Sequence, residues 1–203
     1  MYPLPFTHST NPAHLTAVIR RFPLATLITP HAETPLVTHV PLLYVPTPEG
    51  LGMLVGHMDR NNPQAAELKA GPVQALFHGP NSYISPHSYV TEQLPTWNYI
   101  KVHVKGEVEE MPNLDDVRDL MLQTTEYMEE GRARPYTLAP DHGKMNKLLP
   151  FVVAFKIQIT SWEGKFKLSQ DKLAKDTDAA RDQLLQDAQA DLSDLVEELL
   201  RTK

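Results

Sequence analysis

Proline is the residue that most constrains this chain, because 18 prolines are spread through 203 residues that contain only 9 glycines. Proline makes up about 9% of the sequence, against a usual value near 5%. The prolines separate short apolar runs and form no low-complexity block, so they do not indicate disorder. Because proline has no backbone N–H donor, it is tolerated at strand ends, at bulges and on edge strands. The pattern therefore predicts short β-strands bounded by turns.

Six apolar, β-rich runs are predicted as strands. They span residues 22–29, 36–45, 51–57, 72–78, 99–108 and 151–160. The second run contains Pro41, so this strand should lie at a sheet edge or carry a bulge. The short spacing and the hairpin-like connections favour a closed or nearly closed antiparallel barrel.

Amphipathic segments lie between and after these runs. The predicted helices span 12–21, 63–69, 113–129 and about 177–200. Asn11 and Asn62 precede the first two and Asn113 opens the third, as expected of N-cap residues, and proline follows the cap in the first two. Residues 131–150 contain several prolines and glycines and are predicted as a surface loop. The chain is therefore expected to be mainly β with flanking helices, in the α+β class.

The C-terminal segment differs from the body of the chain in charge and periodicity. Residues 171–203 contain 5 basic and 9 acidic residues, a net charge of −4 out of −6 for the whole chain. Leucines recur there at steps of three and four residues, and the opposite face is acidic. We expect residues 1–175 to form one domain and residues 176–203 to form an amphipathic helix, packed on that domain or on a second subunit.

Composition excludes several classes of protein. The chain contains no cysteine, so it has no disulfide, no thiolate chemistry and no cysteine-based metal site. A net charge of −6 disfavours non-specific attraction to DNA or to anionic lipid, which makes direct contact with DNA doubtful. No apolar run is long enough to span a membrane, and the N-terminus lacks the pattern of a secretory signal. We therefore expect a cytoplasmic protein without a membrane partner.

The sequence offers no recognisable catalytic or metal-binding motif. Its 9 histidines lie on separate predicted strands and loops, without the helical spacing of a zinc site, and we expect no metal. Neither GxSxG nor HExxH is present, and the glycine-rich fingerprints of nucleotide-binding folds are absent. Catalytic residues remain unassigned from the sequence.

Residues 57–63 form the first candidate binding segment, at the end of a strand and the start of a helix. Arg60 and the helix N–H groups could bind a phosphate. Alternatively, Asn61 or Asn62 caps the helix and Arg60 is merely exposed.

Two further segments are candidates. Residues 78–99 are predicted as a long loop rich in aromatic and hydroxyl groups, which suits a flat aromatic ligand; the alternative is a long hairpin packed by its own aromatic side chains. A turn at Glu163-Gly164 is predicted to place Lys165 and Lys167 on one face, where they contact either an anion or only solvent.

The segments FPLATLIT, LVGHMDRNNPQ, HGPNSYISPHSY, PTWNY and EGKFKLSQ, in this order, resemble the PaiB-like proteins, which are bacterial proteins described as FMN-binding negative transcriptional regulators. The resemblance covers roughly residues 1–175. It implies the flavin-binding split β-barrel, a superfold that includes the pyridoxine-phosphate oxidases, whose homodimers hold FMN at the subunit interface. It therefore implies a homodimer with FMN as cofactor.

The resemblance also implies which residues contact the flavin. Thr38, His39 and Val40 match a strand near the flavin; His57, Arg60, Asn61 and Asn62 match the phosphate-binding turn; and Trp97, Asn98 and Lys101 match contacts to the ring. The adjacent Ser-Arg-Lys of the oxidases is absent here, so Lys101, or Lys165 and Lys167, would supply further positive charge.

Three functions remain open from the sequence. The first is a flavoprotein linked to negative transcriptional regulation, in which any control of DNA acts through a partner or a metabolite. The second is a flavin oxidoreductase of low turnover. The third is haem binding, which also occurs on split barrels and would use the histidines.

Overall fold

The computed structural model describes residues 5–69 and 71–189. Its helices are α1 (Pro12–Arg21), α2 (Pro63–Ala66), α3 (Leu114–Glu129), α4 (Gly143–Leu148) and α5 (Ala174–Asp187). Its strands are β1 (His8–Ser9), β2 (Leu24–Thr29), β3 (Leu36–Pro41), β4 (Leu43–Val45), β5 (Met53–Asp59), β6 (Val73–Ile84), β7 (Thr96–Met111) and β8 (Val152–Lys167). Two 3-10 helices span Pro86–Ser88 and Leu149–Phe151.

The strands form one sheet, mainly antiparallel, in the order β3-β2-β6-β7-β8-β5-β4, and β1 pairs with β8. This confirms the predicted fold class. Of the predicted closed or nearly closed barrel, full closure is excluded, because in the described part of the chain the two edge strands, β3 and β4, are not paired with each other and the sheet is open.

Pro41 marks the end of β3, a strand at one edge of the sheet. It is the last residue of β3, opposite Leu24 on β2, and β3 is an edge strand as predicted. The next residue, Leu42, is fully buried and donates its backbone N–H to the carbonyl of Pro23 at 2.9 Å. The predicted strand 36–45 is therefore two strands, interrupted at Leu42.

The helix starts follow the caps that the sequence predicts. The side chains of Asn11, Asn62 and Asn113 accept hydrogen bonds from the backbone N–H groups two residues ahead, at the starts of α1, α2 and α3. The predicted helix 63–69 is shorter than expected, because only its first turn is α-helical.

Three predicted loops and turns are corrected. The supposed loop 131–150 contains α4, whose start is capped by His142 and whose Met145 is buried in the core. The supposed loop 78–99 is reduced to residues 85–95, because β6 and β7 extend into it. No turn forms at Glu163-Gly164, because β8 continues to Lys167.

The described chain divides into two compact units. The first contains residues 9–78 and 101–164, and the second contains 5–8, 79–100 and 165–189. In the first unit, side chains of α3 and α4 pack on β4, β5 and β8 through a buried cluster: Leu43, Val55, Val117, Leu120, Met145, Leu149 and Ala154. In the second unit, Ile84, Tyr89 and Ala180 form a smaller core. The proposed domain boundary at residue 175 stays a prediction.

Among the described helices, none is long and apolar enough to cross a membrane. The tail helix predicted from residue 177 is described only as far as its first part, as α5. The leucine stripe beyond residue 189 lies outside the described residues.

Candidate functional site

The outward face of strands β3, β2 and β6 carries the most concentrated polar chemistry of the first unit. On β2, alternation buries Ala25 and Leu27 and turns Thr26 to the opposite face. The neighbouring strands place His39 directly opposite Thr26 and His78 beside it. Thr26 Oγ1 lies 3.1 Å from His39 Nδ1 and 3.0 Å from His78 Nε2.

A cavity of about 640 Å³ opens on this face. It is lined by Arg21, Phe22, Pro23, Leu24, Thr26, His39, Pro41, His78 and Met128. Its volume lies within the range of about 300–1,000 Å³ usual for small-molecule pockets, and a mostly apolar lining with a few converging polar groups is their common chemistry. We call this cavity the β2 pocket.

The electrostatics of the β2 pocket keep His78 neutral. Burial lowers the pKa of His78, and the positive charges of Lys101, His39 and His103 lower it further. Burial also lowers the pKa of the half-buried Lys101. A neutral imidazole presents one hydrogen-bond donor and one acceptor, so it can either donate a hydrogen bond to the polar edge of a heterocycle or accept one from it.

A larger cavity of about 740 Å³ lies between α3 and residues 131–138. Glu126, Glu129 and Glu130 line it. Its acidic lining opposes a ligand that carries a phosphate, since a phosphate monoester has a charge of roughly −1.5 to −2 at neutral pH. The β2 pocket, lined by Arg21, fits such a ligand better.

The predicted residues on β3 divide between the two faces of the strand. His39 points to the β2 pocket, whereas Val40 is buried in the core opposite Ala25. Thr38 lies on the same face as Val40, and its Oγ1 accepts a hydrogen bond from Asn62 Nδ2 at 3.0 Å. The structure thus brings Thr38 and Asn62 together, on the face opposite His39.

The turn after β5 is held by its own side chains. Asn62 caps α2, and Asp59 Oδ1 accepts a hydrogen bond from the backbone N–H of the exposed Asn61 at 2.7 Å. Arg60 donates from Nε to the carbonyl of Pro150 at 2.9 Å and from Nη2 to that of Val152 at 3.2 Å. A guanidinium has five N–H donors, so three remain for an anion.

His57 lies on β5 opposite Ala154 of β8 and is half-buried. Burial lowers its pKa, so the ring stays neutral at pH 7. Among the described residues, no group of three or more histidine or acidic side chains is placed to hold a metal ion.

The remaining predicted residues lie in the second unit. Trp97 is 51% exposed, donates from Nε1 to Asn81 Oδ1 at 3.2 Å and lies 6.3 Å, centroid to centroid, from the ring of Tyr83. Lys167 donates to Thr96 Oγ1, and Lys165 is buried. The Trp97–Tyr83 pair forms an exposed aromatic surface suited to stacking.

Asn98 is fully buried and belongs to a hydrogen-bonded network of the second unit. Its Oδ1 accepts from Ser169 Oγ at 3.1 Å, and Ser169 Oγ lies 3.0 Å from the hydroxyl of Tyr89. Its Nδ2 has no hydrogen-bond partner among the described residues. The network ties β7 to Ser169, which follows the end of β8.

Comparison with known proteins identifies the family. Residues 1–161 match the family model described as "Putative FMN-binding domain". The chain belongs to this FMN-binding family. Its cofactor is accordingly a flavin, and the FMN predicted from the sequence is confirmed at the level of the family.

The relatives agree with this assignment. The chain is 28% identical over 176 residues to "Protease synthase and sporulation protein PAI 2" of Bacillus subtilis (strain 168), covering 85% of this chain and 83% of that protein. The FAD and heme binding protein from Mycobacterium smegmatis has 20% identity and a TM-score of 0.61, over 86% of this chain and 80% of that one. The flavocytochrome Anf3 from Azotobacter vinelandii has 13% identity and a TM-score of 0.59, over 80% and 70%. These structures confirm the split-barrel fold.

Sequence reasoning missed part of the β2 pocket. It chose His39 through the resemblance, and Lys101, whose charge acts on His78, but not the lining residues Thr26, His78 and Arg21. The alternation of β2 was a usable signal, because the core residues Ala25 and Leu27 flank Thr26 and so turn it outward. The cross-strand neighbours of Thr26 could not be read, since they depend on the register of three strands.

Proposed function

We propose that this chain is a homodimeric flavoprotein that holds the FMN ring in the β2 pocket and is linked to negative transcriptional regulation. One observation carries the placement of the ring: in a chain of an FMN-binding family, the β2 pocket combines an apolar lining with Thr26, His39 and His78 on one sheet face. When bound, FMN supplies the redox chemistry of its ring system. The protein supplies binding, orientation and protons.

Each part of the pocket has a distinct role in this proposal. Leu24 and Met128, which line the pocket, would contact the ring, and His39 and His78 would form hydrogen bonds with its polar atoms. Arg21, in the last turn of α1, and Lys101 supply positive charge for the phosphate. The predicted contacts from Arg60, Asn61 and Asn62 stay a prediction outside this placement, because Asn62 lies on the sheet face opposite His39 and caps α2.

The exposure of the same sheet face supports the proposed dimer. Leu24 is 59% exposed and Val37 is 55% exposed, both on the outward side of the sheet. Apolar side chains beside an open pocket are typical of surfaces that a second subunit covers. A second copy of the chain would bury them and close the pocket over the flavin.

The regulatory role rests on the resemblance to the PaiB-like proteins and on a relative whose name refers to protease synthesis and sporulation. The net charge of −6 opposes direct attraction to DNA. We therefore assign regulation to a partner protein or to a bound metabolite, in the cytoplasm. Specific retardation of a DNA fragment by the purified protein at physiological salt would contradict this indirect route.

A pair of matched variants tests the placement of FMN. Leu24→Trp fills the β2 pocket, and Thr137→Trp fills the larger acidic cavity. We expect Leu24→Trp to weaken FMN binding by about tenfold or more, because the ring and the new side chain compete for one volume. Fluorescence titration with FMN measures both variants, and Thr137→Trp should bind like the native protein. Native affinity in Leu24→Trp would place the ring elsewhere.

Haem is the second candidate, because the β2 pocket contains two imidazoles and imidazole is a common axial ligand of haem iron. His39 Nε2 is the nitrogen that Thr26 leaves available. Titration of the purified protein with haem and with FMN separates the two: a Soret band that saturates at one equivalent, without FMN binding, would favour haem.

A further inference from the structure

A single hydroxyl joins two imidazole rings on the sheet face. Thr26 Oγ1 is within hydrogen-bond distance of His39 Nδ1 and of His78 Nε2, at 3.1 Å and 3.0 Å. The three side chains lie on three adjacent strands, β3, β2 and β6, and all three line the β2 pocket. They therefore form a continuous chain of exchangeable protons along one wall of the pocket.

The proton count of this chain couples the two rings. The hydroxyl of Thr26 has one proton, and each neutral imidazole has one N–H and one bare nitrogen. The hydroxyl must therefore donate to one ring and accept from the other. If it donates to His78 Nε2, both rings carry their proton on Nδ1. If it donates to His39 Nδ1, both rings carry their proton on Nε2.

We propose that His39, Thr26 and His78 form a proton relay that serves the ligand in the β2 pocket. In the forward direction, the His39 Nε2–H bond breaks as its proton moves to a basic atom of the ligand. His39 Nδ1 then takes the hydroxyl proton of Thr26, Thr26 Oγ1 takes the proton from His78 Nε2, and His78 Nδ1 binds a proton from water. Both rings end neutral, with their tautomers inverted, and one proton has been delivered.

The surroundings of His78 keep this ring in the neutral state that the relay needs. A doubly protonated imidazole has no bare nitrogen and would block transfer. The groups near His78 that can carry a charge are all basic: Lys101 and His103 on β7, His39 on β3, and Arg21 at the end of α1. Together with burial, the first three lower the pKa of His78, so the relay operates at neutral pH and stops in acid.

The hydrogen-bond chain is tested first without ligand. Nitrogen-15 NMR of the imidazoles reports the tautomer of each ring at neutral pH. In the native protein and in Thr26→Ser, which retains the hydroxyl, we expect the same tautomer at both rings, and a change at His78 when His39→Gln is introduced. In Thr26→Val, which has no hydroxyl to join the rings, the tautomer of His78 should no longer change when His39→Gln is introduced. Opposite tautomers at the two rings of the native protein would overturn the relay.

The second test follows the proton, and it rests on the proposed binding of FMN. Each variant is loaded with saturating FMN and mixed with dithionite, while a pH indicator records the change in protons. The protons released by oxidation of dithionite are subtracted with a control of free FMN, which leaves the uptake by the protein-bound flavin. We expect Thr26→Val to slow the uptake by about 100-fold relative to Thr26→Ser, at the lower end of general acid–base effects. Equal rates in the two variants would contradict the relay.

Failure of the proposed function and failure of the relay give different results. A native protein that does not bind FMN in an equilibrium titration would overturn the proposed function, and with it the ligand of the relay, before any rate is measured. Loss of the native fold in Thr26→Val would show in the near-ultraviolet circular dichroism. In that case Thr26→Ala, compared again with Thr26→Ser, gives the same comparison of rates.

Discussion

Close packing between strands sets narrow limits at single residues of this protein. A Cβ atom placed on Gly106 of β7 would lie 2.4 Å from the carbonyl oxygen of Gln158 and 2.5 Å from Ile157 Cγ2, both on β8. Contacts under 3.0 Å with a backbone atom cannot be relieved by a side-chain rotation. Gly106 is therefore required by the approach of its neighbour, and not by a special backbone angle.

This close approach leads to a prediction about stability. Gly106→Ala should lower the free energy of unfolding by about 1–3 kcal/mol, the usual cost of overpacking a dense core. Gly143→Ala, at the start of α4, is the control, because a Cβ there meets no atom within 4 Å. It should leave stability unchanged or raise it by up to about 1 kcal/mol. Urea unfolding measures both, and a Gly106→Ala variant as stable as the Gly143→Ala variant would contradict the packing argument.

Helix α5 is hydrogen-bonded to residues 88–93 of the second unit. From the sequence alone these residues are predicted only as part of a loop. Asp176, fully buried in the first turn of α5, accepts hydrogen bonds from the backbone N–H groups of Val90 and Thr91 at 2.8 and 2.9 Å and from the hydroxyl of Thr91. Gln183 and Lys172 make further hydrogen bonds to this segment. The helix and the loop therefore order each other.

Removal of this carboxylate should release the loop. In Asp176→Ala we expect the amides of Val90 and Thr91 to exchange with solvent at least about tenfold faster, because two partly buried donors lose their acceptor. Asp178→Ala is the control, since Asp178 lies on the exposed side of α5 and pairs only with Arg181 in the part of the chain described. Hydrogen exchange by mass spectrometry, covering residues 85–95, gives the comparison. Unchanged exchange in Asp176→Ala would show that the loop is held elsewhere.

The same contact predicts a dependence on pH. Hydrogen bonds, above all from the side chain of Thr91, lower the pKa of Asp176 below its usual value near 3.8. A carboxylate with a lowered folded-state pKa stabilises the fold above its unfolded pKa, and this contribution is lost as the pH falls through the folded pKa. Acid release of the loop should therefore occur at a higher pH in Thr91→Val than in the native protein, as followed by hydrogen exchange from pH 5 downward.

The outward sheet face of the whole molecule is the proposed subunit interface, which would enclose the flavin. If a second copy covers the outward sheet face, Val37→Glu places a charge inside the interface, where an unpaired charge is costly. We expect this variant to be monomeric in light scattering and to bind FMN more weakly, while the native protein is a dimer.

Leu114→Glu serves as the control for the interface. Leu114 is 46% exposed at the start of α3, where an acidic residue is compatible with the helix dipole. This variant should remain dimeric and bind FMN like the native protein. A native protein that is monomeric at micromolar concentration would contradict the proposed dimer.

Features that depend on neighbouring residues, such as helix starts and an edge strand, could be predicted from the sequence. The Asn caps located the starts of α1, α2 and α3, and Pro41 marked an edge strand, because caps and missing donors act on neighbouring residues. Characteristic segments were sufficient to identify the FMN-binding family. The loop 131–150 was misjudged, because a glycine at the first position of α4 and a proline in the following 3-10 helix resemble breakers in isolation.

Strand lengths and contacts between strands could be seen only in the folded protein, because they depend on residues far apart in the chain. It extended β6, β7 and β8 beyond their apolar runs, since pairing between strands stabilises residues that have little strand preference of their own. It placed Thr38 and His39 on opposite faces of β3 and joined His39 to His78 through Thr26. These residues are far apart in the chain, and the register of three strands, which depends on burial across the whole sheet, brings them within hydrogen-bond distance.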